Sequence, residues 1–351
     1  MKKTFVVFMT LLFTCFTACD DSDDVLDELP SPQMNHVTEE NYALAETQVI
    51  FTDYVSRIAK ATQTNGTGIL FHKRQAPDPL DKTVVRINFD TRYSFAVLDL
   101  THDATLVLPE TNGRYQSAWF ITEEHYNPLG ITNPGTYKIT QKEMGARFVM
   151  VVIRTQVNME DEKDMAAVSE LQNKVKLYQD EKGEYKASYL WDMEEILAMR
   201  KMYQQLMVQQ HITADKMFGK KGEVDLIPHN CGVAAGWGGM TPEQSIYVNY
   251  VPKGDAPCML TLKDVPVADN AFWSITVYDE HGFVKGKPFN VNSSFVKKEA
   301  DGSAVIRFGG DESADNYLAI FKGWNFILRM YVPLEAYFNG TWKQPELVPV
   351  N

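Results

Sequence analysis

The stretch that most limits what this chain can become is Asn270 to Phe283, NAFWSITVYDEHGF. Phe272, Ser274, Thr276 and Tyr278 alternate with Trp273, Ile275 and Val277, the period-two pattern of a strand. Asp279-Glu280-His281-Gly282 breaks the pattern and Phe283-Val284 resumes it, which reads as a β-hairpin. Arg114 to Gly130, RYQSAWFITEEHYNPLG, repeats the order of strand, acidic pair, His and turn. A β unit that occurs twice points to a duplicated β-sandwich. The fold class expected is mainly β with a helical connection (α+β).

The first residues bear on compartment. Lys2 and Lys3 precede an apolar run from Phe5 to Phe13, too short to span a membrane as a mature helix. Phe16-Thr17-Ala18-Cys19 follows, so residues 1–18 read as a lipoprotein signal peptide and Cys19 as the lipidated residue. An ordinary secretory signal with an incidental Cys is the alternative. The acidic run from Asp20 to Asp24 resembles the surface-export signal of lipoproteins in the Bacteroides group, which places the protein on the outer face of the outer membrane. The alternatives are retention at the inner membrane, which an Asp after the Cys signals in enteric bacteria, and the periplasmic face.

Cleavage before Cys19 removes only Lys2 and Lys3 among the charged residues, so the net charge of −12 becomes −14. Such a chain repels nucleic acid and anionic headgroups, and its membrane partner is the lipid anchor alone. Cys231 and Cys258 remain, either as a disulfide or as two buried free thiols.

In chain order, residues 19–37 are acidic and punctuated by Pro30 and Pro32, an extended tether. Thr38 caps a helix whose packing stripe is Ala45, Val49, Thr52, Val55 and Ile58. With the β segment that runs to about Val157 it makes a first domain, residues 38–158. Within it, Arg86 to Leu100 reads as one long strand, with Asn88, Asp90, Arg92 and Ser94 on a polar face and Phe89, Tyr93, Phe95 and Val97 opposite. That polar face is either the wet side of a sandwich or a concave surface that offers a ligand its carboxylate, amide and guanidinium.

Residues 159–218 form the helical connection, one stripe running Met165, Val168, Leu171, Val175 and Tyr178, the next Leu190, Met193, Leu197, Tyr203 and Leu206/Met207. Residues 219–351 form the second β domain, opening on a Gly-rich loop, Gly236 to Gly239, that lacks the context of a phosphate loop.

These residues resemble a bacterial protein that combines the domains of unknown function 1254 and 1214. Asn88, Asp90-Thr91, Tyr93-Ser94, Leu98-Asp99-Leu100, Gly113-Arg114-Tyr115 and Arg154-Thr155 match the first pattern. Phe272-Trp273-Ser274, Tyr278-Asp279, Arg329, Tyr331, Pro333, Trp342 and Pro345 match the second. Ile87 and Arg92 depart from the family's Pro and Leu. The resemblance implies two jelly-roll-like β-sandwich domains and no agreed activity. Paired jelly rolls also occur in secreted enzymes that cleave N-linked glycans, which makes glycans the class of ligand to consider.

No Gly-x-Ser-x-Gly, His-Glu-x-x-His or Cys-x-x-Cys motif is present, so neither a metal nor a cofactor is expected. The leading expectation is a surface lipoprotein that binds or hydrolyses a carbohydrate or other small polar ligand between its domains. As a hydrolase it would use Asp90 as general acid or base, with Arg92 and Arg329 stabilising developing negative charge. Asn88, Tyr93, Arg114, Trp273, Tyr278 and Tyr331 are the candidate ligand contacts. A non-catalytic binding module and a purely structural surface protein are the two alternatives.

Overall fold

Short alternating runs closed by turn residues give most of this chain its strands. The structure, a computed structural model, describes residues 34–80 and 86–350; Cys19 and most of the expected tether lie outside them. The chain begins with β1 (Met34–Asn35) and α1 (Tyr42–Thr62). Next come β2 (Phe71–His72), β3 (Thr91–Asp99), β4 (Ala104–Leu108), β5 (Gln116–Thr122), β6 (Gly130–Ile131), β7 (Gly135–Ile139), the single turn α2 (Gln141–Met144) and β8 (Phe148–Gln156). The connection holds α3 (Glu162–Lys174), β9 (Lys176–Tyr178), β10 (Leu190–Trp191), α4 (Met193–Gln209) and α5 (Leu226–Gly236). The second half adds β11 (Ser245–Tyr250), β12 (Cys258–Leu262), β13 (Trp273–Tyr278), β14 (Asn290–Asn292), β15 (Ala304–Phe308), β16 (Tyr317–Leu318), β17 (Asn325–Tyr331), the short α6 (Glu335–Phe338) and β18 (Val348–Pro349).

Each half closes as two packed sheets. In the first, β2-β3-β8-β5-β6 lies against β7-β4-β9. Ala96, Phe120, Val151 and Ile153 meet Leu106 and Ile139 in one core between them. In the second, β11-β17-β13-β14 lies against β16-β15-β12-β18, with Ile275, Phe326 and Leu328 meeting Leu260, Ile306 and Phe308. The fold is mainly β with helices, the α+β class expected. Alternation leaves the opposite faces of the two larger sheets free for other work. One part of the first sheet's outer face is covered by α1, where Phe51 and Val55 pack on Trp119, Phe148 and Met150.

Local readings were shifted in several places. The last residues assigned to the tether are docked, because β1 pairs in parallel with β10. Helix α1 starts at Tyr42 rather than at Thr38, since the Asn41 side chain turns back to accept the Thr38 amide at 2.7 Å. Tyr42, Ala45, Phe51, Val55 and Ile58 are among its buried residues, and Thr52 is exposed. Asp192 caps α4 through the Glu194 amide at 2.9 Å. That cap rotates Ile196 and Tyr203 inward and leaves Met193 and Leu197 exposed.

The first helix of the connection stops at Lys174, because Lys176–Tyr178 adds a strand to β4. Helix α5 was invisible to periodicity. Its small and apolar residues are buried from His229 to Ala234 with no polar stripe, between α1 and α4. The strand that pairs with β13 after the turn is β14, and Phe283 closes the turn itself, its carbonyl accepting the Asp279 amide at 2.8 Å. Cys231 lies in the helical core and Cys258 in the second sandwich, both as buried free thiols. No described helix is long and apolar enough to cross a membrane.

Phe326 is fully buried, stacked 4.5 Å from Tyr250 and 4.6 Å from Phe308 between ring centres. Phe326→Ala is expected to cost about 3–5 kcal/mol, read as a lowered denaturant midpoint; a loss below about 1 kcal/mol would show that this core does not hold the second sandwich together.

Candidate functional site

The two halves meet through the outer faces of their larger sheets. Strand β8 is apolar from Phe148 to Ile153 and ends in Arg154-Thr155-Gln156. Pairing places Ser117, Arg154 and Tyr93 in one row across the first sheet. In the second sheet, Tyr247, Arg329 and Ser274 form the corresponding row. Between the halves lies a cleft of about 1600 Å³ that both rows help to line, through Tyr93, Arg154, Tyr247 and Arg329. Five cationic side chains line it (Lys73, Arg86, Arg92, Arg154 and Arg329) against two carboxylates, Asp215 and Glu243. The cleft is therefore cationic in a chain of net charge −12.

One side of the cleft is sealed by a polar seam. The Asp90 carboxylate is fully buried and accepts from Ser274 Oγ at 2.6 Å, Asn290 Nδ2 at 3.0 Å and Asn292 Nδ2 at 3.4 Å, all from the other half. Asn88 donates to the Tyr331 hydroxyl at 2.9 Å, and the Tyr278 hydroxyl donates to the Ile87 carbonyl at 2.8 Å. Arg329 donates to Thr276 Oγ1, the Tyr278 hydroxyl and the Arg86 carbonyl at 3.0, 2.7 and 3.2 Å. Burial raises the Asp90 carboxyl above its ordinary value, opposed by the positive charge of Arg329 and by the three donors. Burial works against the charge of Arg329 as well, yet Tyr278, Tyr331 and Asp90 hold it firmly protonated. Tyr115, Phe272 and Tyr331 pack beside the seam, the last two stacked with ring centres 4.4 Å apart.

The glycine loop after α5 forms another wall. Gly238 donates its amide to His125 Nε2 at 2.9 Å and accepts from Arg154 Nη2 at 3.0 Å. Trp119 Nε1 donates to the Gly239 carbonyl at 3.0 Å. A Cβ on Gly239 would sit 2.2 Å from the Phe218 ring, so the loop has no room for a side chain there. Burial pushes His125 well below its ordinary value, with His229 adding to the shift, so the ring is neutral and can accept.

Of the residues singled out from sequence, Asn88, Arg92, Tyr93 and Arg329 line the cleft. Asp90 is enclosed in the seam. Its expected polar face does not form, because β3 begins at Thr91 and Asn88 and Asp90 precede it. Arg92 points to α3 and donates to the Met165 carbonyl at 3.0 Å and Ser169 Oγ at 2.6 Å. Arg114 is paired with Asp164 and also bonds the Gln156 carbonyl at 2.8 Å. Trp273 lies in the second core, while Tyr278 and Tyr331 are buried in and beside the seam. Trp237 and Trp342 are the tryptophans that reach the cleft. Sequence reasoning named Arg154 only as part of the family pattern, not as a site residue, and missed Ser245 and Tyr247; the signal for Arg154 was an Arg-Thr pair closing an otherwise apolar strand. No group of three or more metal-ligating side chains occurs among the described residues.

Comparison with known proteins places this geometry. Residues 67–179 match the family model described as protein of unknown function (DUF1254), and residues 252–335 match protein of unknown function (DUF1214). The first match contains Asn88, Asp90 and Arg154, and the second contains every partner of Asp90 in the seam. The crystal structure of the VPA0106 protein from Vibrio parahaemolyticus is similar in fold, with a TM-score of 0.62 at 13% identity over 90% of this chain and 100% of that one. A putative uncharacterized protein from Burkholderia cenocepacia reaches a TM-score of 0.48 at 11% identity, over 89% and 93%. A search of curated proteins returns no match.

Asp90→Ala leaves three buried donors without their acceptor and Arg329 without the nearby negative charge, and is expected to cost at least about 3 kcal/mol of unfolding free energy. The raised carboxyl also sets a pH dependence. The folded protein keeps a proton that the unfolded chain loses near 3.8, so this contribution to stability falls as pH rises through the folded value. Asp90→Asn should lack that component, so the stability difference between wild type and variant should shrink with rising pH. A difference flat with pH would mean that the carboxyl is not perturbed.

Proposed function

This chain belongs to the proteins that join DUF1254 to DUF1214, and on that footing we propose that it is a surface lipoprotein, anchored through Cys19, that captures a polar glycan-type ligand between its two sandwiches. The observation that carries the reading is the cleft, walled by both halves, with cationic groups and the rings of Tyr93, Trp237, Tyr247 and Trp342 along it. Aromatic faces stack on sugar rings, and guanidinium groups bond hydroxyl and carboxylate oxygens in a fixed geometry. Capture is favoured over hydrolysis because the acid first assigned to catalysis, Asp90, is bonded on all sides and does not line the cleft. If the protein hydrolyses its ligand, Asp215 and Glu243 are the carboxylates within reach.

The test incubates the unlipidated mature chain with neutral and acidic polysaccharides and glycopeptides, reading retention by pull-down and products by mass spectrometry. Retention of unchanged ligand is expected. Asn249→Trp, an exposed cleft residue enlarged, should lower retention severalfold without changing the melting temperature. Products that vanish in Glu243→Gln or Asp215→Asn would make the protein a hydrolase instead. Neither retention nor products would remove the glycan reading.

A further inference from the structure

Arg154 differs from the other buried arginines of this molecule. Its residue is only 7% exposed, yet it lines the cleft. The half-buried Arg114 is paired with Asp164, and the buried Arg329 has three hydrogen bonds and the charge of Asp90 near it. Arg92 is bonded to α3, with Asp164 acting on its charge. Arg154 donates from Nη2 to the Gly238 carbonyl and interacts with the Tyr93 hydroxyl, while its Nη1 has no partner among the described residues. The groups that favour its charge against burial are the phenols of Tyr93, Tyr247 and Tyr115, with no carboxylate among them. The guanidinium sits 5.4 Å from the centre of the Tyr93 ring. A buried cation without an anion is costly, and proteins keep one where something arrives to pair with it.

A second observation points to the same place. Thr91 Oγ1 and Ser245 Oγ are buried, have no partner among the described residues, and belong to residues that line the cleft. Thr91 lies two residues before Tyr93 on β3, so it shares the sheet face of Arg154. Ser245 stands two residues before Tyr247 on β11, on the facing sheet. Two hydroxyls, one from each half, thus belong to the same cleft as a guanidinium Nη1 that has no acceptor among the described residues. We propose that Arg154, Thr91 and Ser245 form an oxyanion subsite that takes a carboxylate, sulfate or phosphate group carried by the ligand. The subsite deepens the cleft reading and rests on it for the sugar, though not for the anion. With the charged group bound, Nη1 and both hydroxyls gain acceptors, and the buried charge is neutralised.

Calorimetric titration of the mature chain with methyl glucuronide, methyl glucoside, inorganic sulfate and inorganic phosphate tests the proposal. The glucuronide is expected to bind roughly tenfold or more tighter than the uncharged glucoside, and the inorganic anions to compete with it. Arg154→Gln should abolish the preference, leaving the glucuronide no tighter than the glucoside on the same variant. Thr91→Val and Ser245→Ala keep the buried cation and the shape of the site, and each should weaken the glucuronide severalfold. A merely structural Arg154 would lower the melting temperature and leave the preference intact. Equal binding of both glycosides would overturn the subsite and leave the glycan cleft standing. Sulfate or phosphate bound through Arg154, with neither sugar bound, would uphold the subsite and discard the glycan. No effect of any anion would also overturn it.

Discussion

The buried carboxylate of Asp90, held by Ser274, Asn290 and Asn292, is the contact on which the rest of the molecule depends. Each sandwich could close its own core without it. What the seam fixes is the angle and register of one sandwich against the other, because its hydrogen bonds have direction where apolar packing does not. The cleft is the space left over once that angle is set. Residues that look catalytic in the sequence therefore serve the site at one remove, by holding its walls apart at a fixed distance.

Charge in this molecule is arranged by depth. The surface is acidic, and at physiological salt its field fades within about 8 Å. The cations in the cleft are set among aromatic rings and backbone, where screening is weaker and each charge acts on what touches it. A ligand is thus repelled weakly at a distance and held strongly at contact, which favours binding one shaped group over coating by any polyanion.

How much of this the chain discloses varies from element to element. The alternation in Asn270–Phe283 and Arg114–Gly130 is local, and both runs became central strands, β13 and β5. The phase of α4 was read wrongly because Met193 and Leu197 are as apolar as Ile196, and the cap at Asp192 chose between them. Helix α5 escaped because its middle, His229 to Ala234, is buried on every face and so shows no stripe. The roles of the site residues were hardest to read. Asp90 and Arg154 are both charged residues beside β3 and β8, and nothing local separates a sealed acid from an unpaired base. The difference lies in partners more than a hundred residues away for Asp90, and in the lack of a carboxylate partner among the described residues for Arg154.

The reach of the seam along the chain has its own consequence. Asn88 meets Tyr331 across 243 residues, and Asp90 meets Asn292 across 202. In a chain that folds from its N-terminus, the first sandwich can close before the strand that covers its polar edge arrives. Until then Asp90 and Asn88 stand in water, and there is no cleft. Assembly of the binding surface thus waits on the last strands, and damage there is felt at residues near the beginning.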